Sequence, residues 1–101
     1  MIIPQKIKAL LGFARKSGQL FAGEKVVKNC LKTKRAQLIL IATNFPEKRK
    51  DFIRKWCVDQ KVVYFILGTK EEYGEILGTT PRSLLVVTDK KMAEKIYKHL
   101  F

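Results

Sequence analysis

Leu38–Ala42 (LILIA) is a continuous apolar run with the length of a single β-strand. The side chains of a strand alternate between the two faces of its sheet, so a strand without polar residues fits a sheet that is covered on both faces. Val62–Leu67 and Leu84–Val87 are apolar runs of similar length. The sequence therefore predicts three buried strands, while Gln19–Phe21 is long enough only for a brief edge strand.

Apolar residues at helical spacing surround these runs. An i, i+3, i+4, i+7 pattern predicts a helix over residues 4–16, and similar patterns predict four more. One of the later helices is a short one over residues 70–77. The predicted core positions of the other three are Val26, Val27, Cys30 and Leu31; Phe52, Ile53, Trp56 and Cys57; and Met92, Ile96 and Leu100. Helices that alternate with strands predict an α/β fold, a three-layer α/β/α sandwich with a small, mostly parallel or mixed four-stranded sheet. We expect a single domain of residues 1–101.

Positive charge is concentrated in the first half of the chain. The net charge is +12, and residues 1–55 hold 14 Lys and Arg against three acids, whereas residues 56–101 hold seven against six. A basic patch of this kind indicates a phosphate-bearing partner, and nucleic acid is the interpretation we favour. A surface that is basic only for solubility is an alternative, although solubility needs no such asymmetry. An anionic membrane is a third, weakened because no helix opposes a wide aromatic face to a basic one.

The sequence offers little for catalysis. His99 is the only histidine and is expected to be solvated, and the acids of the segment 71–75 fit an exposed helix face better than an acid–base pair. Phosphate-binding loops of the GxxxxGK[ST] and GxGxxG types and the GxSxG nucleophile motif are absent from the sequence. We therefore expect a protein that is not an enzyme and that uses no cofactor.

Cysteine usage and hydropathy indicate the compartment. Cys30 and Cys57 lie within apolar patterns without CxxC or Cys/His spacing, so buried free thiols are expected rather than a metal site or a disulfide. No apolar run approaches the roughly 20 residues that cross a bilayer, and residues 1–6 lack the basic start and apolar stretch of a signal peptide. The expectation is a cytoplasmic protein without a membrane partner.

The segment Phe21–Asn29 is the first candidate site. Glycine at a helix start lets another backbone approach closely, and the unpaired N–H groups of the first turn suit phosphate or base oxygens. Lys25, Lys28 and Asn29 fall on faces that the apolar stripe leaves free, where lysines can meet phosphates and an asparagine can pair with a base edge. A glycine N-cap with a solvated basic face explains the segment equally well.

The loop 43–50 is the second candidate. It follows a buried strand, and ligands of open α/β sheets bind beyond the carboxyl ends of strands. Asn44 can read an unpaired base, Phe45 can stack on one, and Lys48 adds positive charge. For Phe45 the alternative is a cap on the hydrophobic core.

The loop Thr79–Arg82 precedes the last predicted strand and is the third candidate. The hydroxyls of Thr79 and Thr80 and the guanidinium of Arg82 can meet the same ligand if this loop and the loop 43–50 lie on one side of the sheet. Arg82 has no acid close to it in the sequence, which favours a ligand over an ion pair.

These residues resemble a known family, the kink-turn-binding ribosomal proteins typified by L7Ae and L30e. The resemblance extends from Leu10 to about Lys95. Its most specific stretches are Ala22–Lys25, Lys34–Pro46, Arg49–Lys50, the segment Gly68–Gly78 with its paired glycines, and the opening Leu10–Gly18, which is similar to short bacterial members.

The resemblance implies an α/β/α sandwich that binds a sharply bent internal loop of RNA, with the glycine-led helix start entering the widened groove. Gly23 matches the motif glycine and precedes Glu24, and Lys25 matches a position that is Asn or Lys in the family. Val26 stands where many members are polar, and Asn29 stands where Lys is usual. A valine cannot accept a hydrogen bond from a base edge, so these two departures bear on the base contacts.

The other contacts of the family fall on the two loops. Asn44 and Phe45 match the second contact loop, and Thr79, Thr80 and Arg82 match the third, which often carries apolar residues against unstacked bases. The resemblance implies a structured RNA partner, ribosomal RNA or another kink-turn RNA, with the ribosome as a further partner, and we expect a monomer. The alternative is a protein-interaction module of the same fold without specific RNA binding, which the two departures allow and the positive charge of the first half argues against.

Overall fold

A computed structural model describes residues 3–101. Residues 1 and 2, which belong to the stretch that lacks the features of a signal peptide, lie outside the described residues. The predicted helices and strands are all present, and their bounds differ from the predicted ones by a few residues. In chain order they are α1 (Gln5–Lys16), β1 (Leu20–Ala22), α2 (Glu24–Lys32), β2 (Leu38–Ile41), α3 (Glu47–Asp59), β3 (Val63–Ile66), α4 (Lys70–Leu77), β4 (Leu84–Val87) and α5 (Lys90–Tyr97).

The strands form one four-stranded sheet in the order β1-β4-β2-β3. β2 and β3 are parallel, whereas β4 is antiparallel to both of its neighbours, β1 and β2. The predicted fold class is confirmed, and the sheet is mixed rather than mostly parallel. β3 lies at an edge of the sheet and its side chains are only half-buried. The prediction of a fully buried strand was wrong there, because an edge strand has a neighbour on one side only.

Helices cover both faces of the sheet. Leu38 and Leu40 of β2 pack with α1, α4 and α5 in one hydrophobic core, and Ile39 and Ile41 pack with α2 and α3 in the other. All four side chains of β2 are therefore buried. The alternation of side chains along one strand supplies both cores, which gives the three-layer sandwich.

Some predicted core positions lie outside the core. The buried stripe of α3 passes through Ile53 and Cys57, which are one turn apart, while Phe52 beside it is 54% exposed. The prediction that Phe52 is a core residue was therefore wrong, because a position one residue along a helix points about 100° away from its neighbour. Three other predicted core residues are half-buried: Val26, Trp56 and Leu100.

The cysteines are buried, as the sequence predicts. Cys30 and Cys57 are free thiols in the core beneath α2 and α3. Burial raises the pKa of Cys57 to about 12, so the thiol is protonated and unreactive near neutral pH. Residues 3–101 contain no helix long and apolar enough to cross a membrane, and the same residues form no group of three or more metal-ligating side chains.

The strand directions bring four connections to one edge of the sheet, which we call the carboxyl edge. β1, β2 and β3 run in the same direction and end there, and the antiparallel β4 begins there. Thr43 joins two of these connections, since its backbone N–H and its hydroxyl both donate to the carbonyl of Gly68, at 2.8 and 2.7 Å. The three candidate segments of the sequence thus lie on the same side of the sheet.

Candidate nucleic-acid interface

An open cleft of about 370 Å³ lies at the carboxyl edge, and we call it the edge cleft. Every one of the four connections contributes to its lining, which includes Gly23, Glu24, Asn44, Arg49, Lys70 and Arg82. Three of these side chains are cationic and one is anionic. The cleft can therefore accept a polyanion whose backbone passes across the sheet edge.

Gly23 begins α2 in a conformation that requires glycine. Its φ of 119° and ψ of 151° lie in a region that residues with a Cβ rarely adopt. Its N–H donates to the carbonyl of Leu84 at 3.0 Å, which fixes the helix start against β4. A Cβ on Gly23 would meet no protein atom within 4 Å, so the backbone here faces open space. Since glycine has no side-chain acceptor, the first-turn N–H groups of α2 remain available to a ligand.

Glu24 connects the starts of α2 and α3. Its carboxylate forms ion pairs with Arg49 and with Lys28, the latter at 2.9 Å. The hydrogen bond from Arg49, followed by that from Lys28, lowers the pKa of Glu24 below its ordinary value. The carboxylate is consequently ionised at neutral pH, and it pairs with Arg49 in the edge cleft and with Lys28 on α2 outside that cleft.

The loop after β2 is held by contacts within the protein. The side-chain amide of Asn44 donates to Glu71 and its oxygen accepts from the N–H of Lys70, both at 3.0 Å. Lys50 is buried, and its ammonium group donates to the carbonyl of Thr43 at 2.9 Å. Asn44 remains exposed, with one further donor and one further lone pair for a ligand. These contacts thus hold the loop in one conformation before any ligand binds.

Phe45 does not present the exposed ring that a stacking role, considered from the sequence, requires. Its side chain is only 5% exposed and packs in the core beneath α2 and α3, and the guanidinium of Arg49 lies 5.0 Å from its ring centroid. The alternative reading, a cap on the hydrophobic core, is the one the structure supports. The loop turns inward at Phe45 because Ala42 accepts its N–H at 3.1 Å, which directs the ring towards the core.

The loop Thr79–Arg82 is shaped by its contact with α4. A Cβ on Gly74 of that helix would stand 2.9 Å from the carbonyl oxygen of Thr80, so only glycine permits this approach. The guanidinium of Arg82 donates to the hydroxyl and carbonyl of Thr80 and to the carbonyl of Pro81. These contacts fix the Arg82 side chain above the loop, where it lines the edge cleft.

Arg82 also lines a second open cleft, of about 410 Å³, on the other side of its loop. We call this the side cleft, and its lining includes Arg15, Phe21, Val26, Thr79 and Arg82. Phe21 is 41% exposed and Val26 is half-buried. The side cleft thus combines apolar surface with two guanidinium groups, a lining that is chemically suited to an unstacked base.

The structure gathers some of the predicted site residues and separates others. Gly23, Glu24, Asn44 and Phe45 line the edge cleft, Thr79 lines the side cleft, and Arg82 lines both. Lys25, Lys28, Asn29 and Lys48 stand on α2 and α3 outside both clefts, and Thr80 acts through Arg82. The lysines can steer a polyanion, and Asn29 lies more than one turn beyond the helix start.

Three cations of the clefts were absent from the predicted site: Arg15, Arg49 and Lys70. Lys70 begins α4 and reaches the carboxyl edge because β3 runs parallel to β2. Arg49 is brought to Glu24 by the packing of α2 on α3. All three lie in stretches of the family resemblance, Leu10–Gly18, Arg49–Lys50 and Gly68–Gly78, but none of them matched a contact position of the family.

Comparison with known proteins assigns the chain to a family. The family described as ribosomal protein L7Ae/L30e/S12e/Gadd45 matches residues 5–97. The chain belongs to this family. The resemblance noted in the sequence is confirmed, and it holds for nearly the whole length of the chain.

Individual relatives agree with the assignment. The large ribosomal subunit protein eL30 of Candida albicans is 33% identical over 75 residues, which cover 73% of this chain and 71% of that protein. The RNA-binding protein YlxQ of Enterococcus faecium is 25% identical over 91 residues, covering 90% and 87%. A solved structure of a Bacillus halodurans protein with unknown function superposes with a TM-score of 0.89 at 21% identity, covering 94% and 96% of the two chains, and shows the same fold.

Proposed function

We propose that the protein binds structured RNA at the carboxyl edge of its sheet and recognises a kink-turn or a similarly bent internal loop. The observation that carries the proposal is the start of α2 at Gly23. Its backbone faces open space, its conformation is strained for any residue with a Cβ, and cations line the cleft beside it. A helix N-terminus that a sugar-phosphate backbone can reach without meeting a side chain suits the widened groove of a bend.

The charged residues have two roles in binding: some attract RNA over a distance, and others position it. The lysines of the first half steer RNA by long-range attraction and contact phosphates without regard to base sequence. Arg82 contacts Thr80 and Pro81 through one guanidinium nitrogen, so its other N–H groups are left for a ligand and its side chain is partly ordered before binding. Preference for a bend then rests on the Gly23 helix start and on Arg82.

The relatives support a role in translation. One of them is a ribosomal protein and another is named as RNA-binding. We infer for this chain a non-enzymatic role as a ribosomal protein or ribosome-associated factor in the cytoplasm, acting as a monomer on ribosomal RNA or another kink-turn RNA. The same family and the clustering of cations at one sheet edge agree with this role.

A gel-shift comparison tests the proposal. The probes are a kink-turn RNA and a straight RNA duplex of equal length and equal phosphate number, measured at the same near-physiological salt concentration. We expect tighter binding to the kink-turn, because only the bend lets the backbone reach the Gly23 helix start. Equal affinities would reject recognition of the bend, and weak binding to both probes would favour a protein-interaction module of this fold.

A further inference from the structure

The opposite edge of the sheet, where β2 and β3 begin and β4 ends, carries a second basic cleft. We call this end the amino edge, and its cleft has a volume of about 510 Å³. The lining includes Lys34 before β2, Lys61 before β3 and Lys90 after β4, with Asp59 as the one acid. β2 is four residues long, so roughly 10 Å of strand and the loops at both ends separate this cleft from the edge cleft. It therefore belongs to a different surface from the one described above.

Lys34 and Lys61 occupy positions that normally belong to glycine. They are the two non-glycine residues with positive φ in the part of the chain that the structure describes, at 59° and 57°. Each follows a helix in the same way, donating its N–H to a carbonyl three residues earlier, Leu31 for Lys34 and Val58 for Lys61. This is the glycine position of the Schellman motif that ends many helices.

The same chain uses glycine at the corresponding position of two other helices. α1 and α4 end in the same motif, with Gly18 and Gly78 at the left-handed position, at φ of 71° and 68°. An L-residue in this conformation is strained, because its Cβ approaches the backbone. The chain accepts that strain at Lys34 and Lys61 and avoids it at the other two helix ends. Residues held in an unfavourable conformation at the rim of one cleft indicate that their side chains are used there.

The lysines of this cleft are free to act on a ligand. Lys34, Lys61 and Lys90 belong to none of the ion pairs formed among residues 3–101. Lys34, Lys61 and Lys90 are all exposed. Lysine is depleted in the cores of protein–protein interfaces, whereas three unpaired ammonium groups around an open cleft suit phosphates.

From this geometry we propose that the amino-edge cleft is a second binding site for the sugar-phosphate backbone of RNA. The proposal rests on the proposed function, because the RNA held at the carboxyl edge supplies the segment that reaches the amino edge. A bound RNA that extends past its bend passes around the domain, and Lys34, Lys61 and Lys90 neutralise phosphates of its flank. The protein then contacts its RNA at both ends of the sheet.

Two probes separate the sites. The short probe is a kink-turn RNA with both stems trimmed, and the long probe is the same kink-turn with a single-stranded oligouridine flank at each end. The variant carries Lys34→Gln, Lys61→Gln and Lys90→Gln, and the matched control carries Lys6→Gln, Lys95→Gln and Lys98→Gln, three exposed lysines outside the amino-edge cleft.

We expect the wild-type protein to bind the long probe more tightly than the short one. The amino-edge variant should lose this gain, and its salt-dependence slope on the long probe should fall by about 2, since each phosphate neutralised on a single strand contributes about 0.7. Its affinity for the short probe should stay within about twofold of wild type, which is the affinity the carboxyl edge alone supplies. Equal losses in variant and control, or a long probe that binds no better than the short one, would overturn the proposal.

A second variant separates binding from folding. Lys34→Gly with Lys61→Gly removes both the ammonium groups and the strain, so the melting temperature should not fall while the gain on the long probe is lost. A lower melting temperature with the gain retained would show that the two lysines serve the folded state instead. If the wild type shows no preference for the short probe over a straight duplex, kink-turn recognition fails, whereas a long-probe affinity that depends on the amino-edge lysines would still support this second site.

Discussion

The carboxylate of Glu24, at the first position of α2, forms an ion pair with the guanidinium of Arg49, in the first turn of α3. The same carboxylate pairs with Lys28 one turn further along α2. The pairs fix the relative position of two helix starts at the edge cleft. They also engage two cations that the proposed RNA site would otherwise offer to phosphates, so we expect Glu24 to affect both the stability of the protein and its affinity for RNA.

Replacing Glu24 with Gln should therefore separate these two effects. At pH 7 the free energy of unfolding should fall by about 0.5–1 kcal/mol, the range for partly exposed ion pairs. Affinity for any RNA should rise and its salt dependence should steepen, because Arg49 and Lys28 are released to meet phosphates. Chemical denaturation and filter binding measure the two quantities. Glu75→Gln, at an exposed position outside both clefts, is the control and should change neither by a comparable amount.

The stabilising effect of Glu24 should depend on pH. Its pKa in the folded protein lies below the ordinary value of 4.5. A carboxylate with a lowered pKa stabilises the fold fully above the unfolded-state pKa and loses that contribution as pH falls through the folded-state value. The difference in unfolding free energy between wild type and Glu24→Gln should be constant near neutral pH and shrink below about pH 4.5. A difference that stays constant down to pH 3 would contradict the ion-pair account.

Two substitutions of Gly23 separate the effect of backbone strain from the effect of side-chain bulk. Gly23→Ala and Gly23→Leu both force a Cβ onto a backbone with φ of 119°, at a cost of about 1–3 kcal/mol in stability. Only leucine then fills the open space in front of the helix start. We expect Gly23→Leu to lose the preference for a kink-turn over a straight duplex while keeping most of the salt dependence, and Gly23→Ala to keep more of that preference. Equal preference in wild type and Gly23→Leu would reject insertion of this helix start.

Arg82 should contribute more than a point charge. Arg82→Ala should weaken kink-turn binding by about 1–3 kcal/mol. Arg82→Lys should recover only part of that loss, because the guanidinium meets Thr80 and Pro81 through one nitrogen and keeps its others for a two-point contact, whereas an ammonium group offers a single nitrogen. Arg54→Ala removes an arginine of α3 that pairs with Asp51 outside both clefts, and it should have a smaller effect. Recovery of full affinity in Arg82→Lys would mean that charge alone matters at this position.

The two helical glycines Gly12 and Gly74 should respond in opposite directions to alanine. A Cβ on Gly74 would collide with the backbone of Thr79 and Thr80, at 2.9–3.0 Å, so Gly74→Ala should destabilise the protein by about 1–3 kcal/mol. Gly12 has no neighbouring atom within 4 Å of such a Cβ, and Gly12→Ala should stabilise the helix by about 0.5–1 kcal/mol. Thermal unfolding measures both changes. Loss of stability in Gly12→Ala would contradict the open environment of that residue.

Local pattern was enough to predict the elements of the fold. The run Leu38–Ala42 is apolar at every position, and such a run requires cover on both faces of the sheet wherever it is placed. The helical spacing in α1 and the N-cap Asp89, which accepts from the N–H of Met92 at 2.9 Å, follow from neighbours in the chain. Strand order does not follow from neighbours in the chain, so the sequence left open the choice between a parallel and a mixed sheet.

Local pattern was also not enough to predict which side chains of the site are buried. Phe45 and Phe52 are both aromatic residues in a basic stretch, yet Phe45 is 5% exposed and Phe52 is 54% exposed. Which of the two enters the core depends on the turn at Ala42 and on the rotation of α3, and neither is encoded by the local pattern. For this reason the sequence favoured Phe52 as a core residue and considered Phe45 as a stacking surface.

The sequence by itself determined the α/β sandwich, the excess of positive charge and the family, and it marked Gly23 as a candidate site residue, because each depends on residue type and short-range spacing. Only the tertiary structure decided which cations share a cleft. Arg49, Lys70 and Arg82 are far apart in the chain and meet because β2 and β3 end, and β4 begins, at the same edge of the sheet. The opposite edge gathers Lys34, Lys61 and Lys90 for the same reason. Strand direction, which is set by long-range pairing, divides one positive charge excess between two surfaces.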